Sequence, residues 1–168
     1  AFLLPYQIYR FFTPMFLHGG VSHLLNNLVY QVLAGSLVER KYGTKAFAIC
    51  YLLFGFSGNV MSSLTSPRNG KSFLCLKHRT GSISPLALVS VGASGAVYGL
   101  LFFCIIDNTL RIFTVPNLTD KIIQFLIMLL VIPYFIMSVF LDVDFSGRTD
   151  HAAHGGGALM GILVATFL

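Results

Sequence analysis

Gly92-Ala93-Ser94-Gly95-Ala96-Val97-Tyr98-Gly99 and its counterpart Ala153-His154-Gly155-Gly156-Gly157-Ala158-Leu159-Met160-Gly161 decide how this chain folds. Gly95 and Gly99 are four residues apart, as are Gly157 and Gly161. On a helix such a pair makes a small-xxx-small face, along which two backbones approach closely in a hydrocarbon environment. If the two faces meet, the residues a turn or less before each pair meet as well, and those are Ser94 and His154. An ionisable residue is costly at membrane depth, so His154 inside an apolar run is by default a functional residue. A serine beside an imidazole where water is scarce points to nucleophilic chemistry. The plainer account of either motif alone is packing, because glycine pairs are common devices and membrane-helix serines bond to their own backbone. Two such motifs, each with a polar residue of catalytic type at one end, favour the chemical account.

Composition sets the surroundings. Of 168 residues, 55% are hydrophobic and 10% charged, against about 25% charged in a soluble domain. With a mean hydropathy of +0.79, the chain reads as an all-α polytopic membrane protein. Tryptophan is absent, so an interfacial aromatic belt falls to tyrosines such as Tyr6, Tyr9, Tyr30, Tyr42 and Tyr134. The net charge of +5 would suggest nucleic acid in a soluble protein, but the basic residues cluster between apolar runs, where lipid headgroups are the simpler partner. Cys50, Cys75 and Cys104 have no metal-type spacing and indicate no disulfide framework.

A helix needs roughly 20 apolar residues to cross a hydrocarbon core about 30 Å thick. Five windows approach that length: Leu17 to Val38, Ala46 to Leu64, Leu86 to Ile106, Ile122 to Leu141 and Ala152 to Leu168. Residues 1–16 are aromatic and apolar, but Pro5, Arg10 and Pro14 break them, so an interfacial loop is expected there rather than a span or a cleavable signal. Residues 66–85 form a basic, turn-rich loop. Both ends look like cuts within a longer protein, and all 168 residues are expected to form one partial domain. Basic residues divide almost evenly between the two sets of connections, so charge assigns no topology.

Serine attacks only when a base takes its proton, so Ser94 needs His154 within hydrogen-bond reach. A tetrahedral intermediate also needs donors for its oxyanion. His23 and Asn27 are four apart on one face of the first window, and the Ser94 backbone N–H at a helix start is a third candidate. Interhelical hydrogen bonding would explain His23 and Asn27 singly, but two histidines and two adjacent asparagines in one span exceed what packing asks. Tyr98 lies one turn after Ser94 and is placed to buttress the His154 ring. No carboxylate is placed to complete a triad; a dyad is the simpler reading, with Asp150 beside His151 kept open as an orienting group. His18, His23, His151 and His154 show no zinc-type spacing, and a metal would leave Ser94 unexplained, so no metal or cofactor is expected.

With these residues in view, the chain resembles the rhomboid family of intramembrane serine proteases. Gly92-Ala93-Ser94-Gly95 is similar to the family's GxSG nucleophile motif, with Tyr98 in its usual place, and Ala153 to Gly161 fits AHxxGxxxG, which carries the base. His18-Gly19-Gly20-Val21-Ser22-His23-Leu24-Leu25-Asn26-Asn27 resembles HxxxxHxxxN, and Tyr9-Arg10 echoes a WR dipeptide with tyrosine in place of tryptophan. The resemblance implies a rhomboid-like helical bundle in which the five windows are the second to sixth core helices and the first core helix is missing. It implies Ser94 as nucleophile, His154 as general base, His23 and Asn27 on the oxyanion side and His18 as structural, with Gly92, Gly95, Gly99, Gly157 and Gly161 in support. The basic stretch from Arg68 to Arg79 is longer than the family's usual connection and reads as an insertion.

The implied function is intramembrane endopeptidase activity on single-span transmembrane proteins, cut where small or helix-breaking residues let the substrate unwind. The candidate gate is the fourth window, with Pro133, and the loop Asp142 to Asp150. The alternative is a noncatalytic rhomboid-like protein that binds transmembrane clients for trafficking or degradation, which retention of both Ser94 and His154 disfavours. A small transporter is more distant, because no internal repeat is detectable. Val89-Ser90-Val91-Gly92-Ala93-Ser94-Gly95 looks more like secretory-pathway or plasma-membrane rhomboids than mitochondrial ones.

Overall fold

The structure, a computed structural model, describes residues 5–65, 92–111 and 150–168 together with scattered positions from 117 to 133. Among these residues all regular structure is helical. Two 3-10 turns, Pro5–Phe11 and Thr13–Phe16, lead into α1 (Val21–Tyr42) and α2 (Thr44–Thr65); α3 (Ser94–Arg111) and α4 (His151–Phe167) follow. The helices α1 and α2 are 22 residues each, about 33 Å long at 1.5 Å per residue. Among the described residues α2 is the one helix both long and apolar enough to cross a membrane, with a mean hydropathy of 1.5. The polar and charged residues of α1 account for its failing the same test. The described residues between Ile122 and Pro133 are helical, whereas the basic stretch Arg68 to Arg79 and the loop Asp142 to 149 lie outside the described residues.

Helix boundaries differ from the hydropathy windows for local reasons. The first window begins at Leu17, but α1 starts only at Val21, after Gly19-Gly20, and continues past Val38 through Glu39, Arg40 and Lys41. That extension is sustained because Lys41 finds a buried carboxylate, Asp107 of α3. Gly43 then ends α1 at φ +86°, a left-handed conformation that side chains resist, while its N–H closes the last turn on the Glu39 carbonyl at 2.8 Å. The third window begins at Leu86, yet α3 starts at Ser94. Gly92, at φ +135°, turns the chain immediately before it.

The three helices α2, α3 and α4 pack on one another, α3 and α4 most intimately. Gly157 sits on the backbone of Gly95, and Gly161 on that of Gly99, so closely that a methyl on either would overlap the facing carbonyl. Gly58 of α2 joins the same contact, where a Cβ would lie 2.7 Å from the Ala153 carbonyl oxygen. Backbones this close gain dispersion contacts along the whole shared face. Around it lies a core of Phe54, Val97, Leu100, Leu101 and Phe103, all essentially closed to solvent. Met15, 1% exposed, fills the space over Gly55 and pins the Thr13–Phe16 turn between α2 and α3. Asn59 of α2 holds the preceding turn by donating to the Phe11 carbonyl at 2.7 Å.

Large apolar side chains on the outer faces, among them Leu25, Val32, Ile49 and Leu163, are exposed. Those faces suit contact with lipid. Away from Ser94, some 13 residues or about 20 Å along α3, the buried Asp107 accepts from Lys41 Nζ at 2.5 Å, Tyr42 Oη at 2.7 Å and Arg111 Nε at 2.7 Å. This cluster ties the C-terminal ends of α1 and α3 together.

Candidate active site

Ser94 is the first residue of α3 and is partly buried. The first intrahelical bond here runs from the Val97 N–H to the Ala93 carbonyl at 3.0 Å, so the N–H groups of Ser94 and Gly95 precede the hydrogen-bonded ladder and are of the kind left without helix partners. The turn that delivers the serine is anchored from the chain's beginning: the Gly92 N–H donates to the Pro14 carbonyl at 2.9 Å. Glycine at position 92 serves a second purpose. A Cβ there would stand 2.7 Å from Cε1 of His23, so the missing side chain lets the α1 imidazole lie against the serine loop.

His154 is the fourth residue of α4 and is 8% exposed. Its ring stacks on Tyr98 of α3 with centroids 4.0 Å apart and planes 11° from parallel. The glycine register sets up this stack. Gly157 on Gly95 places the turn of α4 that carries His154 beside the turn of α3 that carries Ser94 and Tyr98. His151, one turn before His154, presents its ring edge-on at 6.3 Å and is exposed. Among the described residues no hydrogen bond joins the Ser94 hydroxyl to the His154 imidazole. Catalytic hydrogen bonds often tighten only once substrate is bound.

The α1 residues arrive on the same side. His23 Nδ1 accepts from the Gly19 N–H at 3.4 Å, and its ring meets His18 edge-on at 5.5 Å. Asn27, buried at 6% exposure, donates one amide N–H to the His23 carbonyl at 2.8 Å, within its own helix. An amide nitrogen carries two hydrogens, so that bond leaves a second N–H for another acceptor. Nε2 of His18 is shut from solvent with no hydrogen-bond partner among the described residues. Among the described residues no three His, Cys, Asp or Glu side chains converge as a metal-binding group.

The structure brings Ser94, Tyr98, His154 and the paired glycines onto one helix-helix contact, and Gly92 with His23 onto an adjoining one. Asp150 is not drawn toward His151. Its carboxylate caps α4 and accepts from Ser62 of α2. Sequence reading overlooked Ser57, Asn59 and Ser62, the polar residues of α2 that bond to α4 or to the first loop. Their signal was available in Ser57-Gly58-Asn59 and Ser62-Ser63, which interrupt an otherwise apolar span, but spacing alone does not say which neighbour they face.

Comparison with known proteins places this arrangement. A family model described as the Rhomboid domain matches residues 5–168. RHOMBOID-like protein 1 of Arabidopsis thaliana is 30% identical over 159 residues, covering 95% of this chain and 34% of that protein. Rhomboid-like protease 3 of Toxoplasma gondii is 29% identical over 163 residues, covering 96% of this chain and 52% of its own length. RHOMBOID-like protein 6, mitochondrial, of Arabidopsis thaliana is 28% identical over 160 residues, with 95% and 43% covered. The chain thus spans about a third to a half of the length of these relatives. A helical bundle closed by glycine-on-glycine contacts, matched by one family model across nearly the whole chain, leaves one assignment: this chain belongs to the rhomboid family.

Proposed function

We propose that this chain is the catalytic part of a multi-pass intramembrane serine endopeptidase, with Ser94 as nucleophile and His154 as general base. The observation that carries the reading is the stack of His154 on Tyr98 one turn from Ser94, in a register fixed by Gly157 on Gly95. Membership of a family that includes a named rhomboid-like protease supports the same reading. The substrates are transmembrane segments of other membrane proteins, and residues 1–168 act as one domain in the secretory pathway or plasma membrane.

The mechanism follows from the residues. The Ser94 hydroxyl gives its proton to the His154 imidazole as its oxygen bonds to the scissile carbonyl carbon. The resulting oxyanion is met by the Ser94 backbone N–H, the second amide N–H of Asn27 and the His23 imidazole, donors that do not reorganise during the step. Collapse of the intermediate breaks the peptide C–N bond, and the imidazolium returns the proton to the leaving amine. Water, deprotonated by His154, then bonds to the acyl carbon, and the imidazolium returns that proton to Ser94 Oγ as the Oγ–C bond breaks and the acid is released. A peptide bond in an intact helix is shielded by its own hydrogen bonds, so the substrate must unwind first. The polar face of α1 offers the hydrated side where that happens.

The test is cleavage of a co-expressed single-span substrate by the full-length protein and by Ser94→Ala. Loss of cleavage with normal expression is expected. Undiminished cleavage would refute the dyad, and absence of cleavage by the wild type across a substrate panel would favour a noncatalytic client-binding role.

A further inference from the structure

The first turn of α4 is closed by a side chain that the dyad does not use. Asp150 directly precedes α4, and its two carboxylate oxygens point to different helices. Oδ1 accepts from the Ala153 N–H at 2.9 Å, whereas Oδ2 accepts from the Ser62 hydroxyl of α2 at 2.5 Å. The Asp150 carbonyl also accepts from the backbone N–H of His154 at 3.2 Å. Ser62 is buried, 5% exposed.

The base sits where a helix is least secure. The N–H groups ahead of the first intrahelical bond have no helix acceptor, and helix ends fray; here that first bond runs from the His154 N–H to the Asp150 carbonyl. His154 is only the fourth residue of α4. From Ala153 onward the helix is held by packing, through the Ala153 carbonyl against Gly58 and Gly95, Ser57 Oγ bonded to the Gly156 carbonyl at 3.0 Å and Gly157 against Gly95. Ahead of that point, the Asp150 carboxylate ties the turn both to its own N–H group and across to α2. Stacking on Tyr98 fixes the plane of the imidazole, but a flat contact permits sliding within that plane. What limits the sliding is the backbone position of His154, and reacting groups misplaced by 1 Å can lose about a hundredfold in rate.

We propose that Asp150 is a positioning residue for His154: with Ser62 it clamps the N-terminus of α4 to α2, so that the imidazole is offered to Ser94 from a fixed turn. This rests on the dyad reading above. Asparagine at 150 retains one oxygen for the Ala153 N–H and presents an amide that the Ser62 hydroxyl can accept, so it preserves the clamp, whereas alanine removes both bonds.

The experiment measures kcat and KM on a single-span substrate, and the rate of Ser94 labelling by a fluorophosphonate, for full-length wild type, Asp150→Ala, Asp150→Asn and Ser62→Ala. Rates are expressed per folded, monodisperse molecule. Expected are a fall in kcat of about tenfold for Asp150→Ala and about threefold for Ser62→Ala, with KM unchanged and labelling slowed in parallel. Asp150→Asn should stay within about threefold of wild type. If Asp150→Ala does not fold, Ser62→Ala, which leaves the cap intact, carries the test. Full kcat in the folded fraction of Asp150→Ala and Ser62→Ala, however low their melting temperatures, would overturn the clamp, as would a change confined to KM. An Asp150→Asn variant as slow as Asp150→Ala would overturn hydrogen-bond geometry as the cause. Absence of Ser94-dependent labelling in the wild type would instead overturn the dyad and this proposal with it.

Discussion

Two neighbouring glycines of α4 should respond oppositely to the same substitution. At Gly157 an added methyl would lie 2.7 Å from the carbonyl carbon of Gly95, and closer still to its oxygen. Carbon atoms ordinarily meet at about 3.5–4.0 Å. The obstacle is backbone, which cannot rotate away, so α3 and α4 would have to part by about 1 Å. Overpacking of this kind costs about 1–3 kcal/mol, and a rigid obstacle argues for the upper end, on the order of 5–10 °C in melting temperature for a domain of this size. The same parting separates the turn of His154 from that of Ser94, which should lower turnover per folded molecule by about a hundredfold. Gly155 is exposed and has nothing within 4 Å of where a Cβ would go. There alanine should leave turnover unchanged and hold or slightly raise stability, because alanine favours helix by up to about 1 kcal/mol over glycine. Thermal unfolding in detergent, paired with cleavage of a single-span reporter, reads both effects. Equal melting temperatures and turnover for Gly157→Ala and Gly155→Ala would refute the glycine-on-glycine register as the element that assembles the site.

Two further outcomes are expected away from the reacting groups. Replacing Asp107 by alanine strips the shared acceptor from Lys41, Tyr42 and Arg111; the two cations are themselves 34% and 37% exposed and can turn to water, so a loss of about 1–2 kcal/mol is expected. Turnover per folded molecule should stay at the wild-type value, because the cluster lies about 20 Å along α3 from Ser94; a large fall in kcat without destabilisation would contradict this. Replacing Asn59 by alanine frees the Phe11 carbonyl and should loosen the Pro5–Phe11 turn from α2, costing about 1 kcal/mol. Faster tryptic cleavage after Arg10 would be the sign, and an unchanged digestion rate would count against the tether.

The sequence by itself determined the class of the fold and the chemistry it offers. Apolar windows, glycine pairs at helical spacing, and a serine and a histidine placed ahead of those pairs are local properties, visible because helix periodicity converts spacing directly into faces. Tertiary structure decided what those faces meet. That Gly157 sits on Gly95 rather than on Gly99, that Gly92 must lack a side chain because His23 lies against it, and that Tyr98 stacks on His154 all depend on the relative sliding of separate helices. No spacing within one segment encodes that sliding. The same limit explains Asp150: beside His151 in sequence, it turns instead to Ser62 and to its own helix end, because a carboxylate at a helix start is satisfied most readily by unpaired N–H groups and by the hydroxyl that packing brings across. Where a helix began or ended also followed from partners. The helix α1 ran on through its charged end because Asp107 was there to receive Lys41, and α3 waited for Ser94 because Gly92 turned the chain just before it.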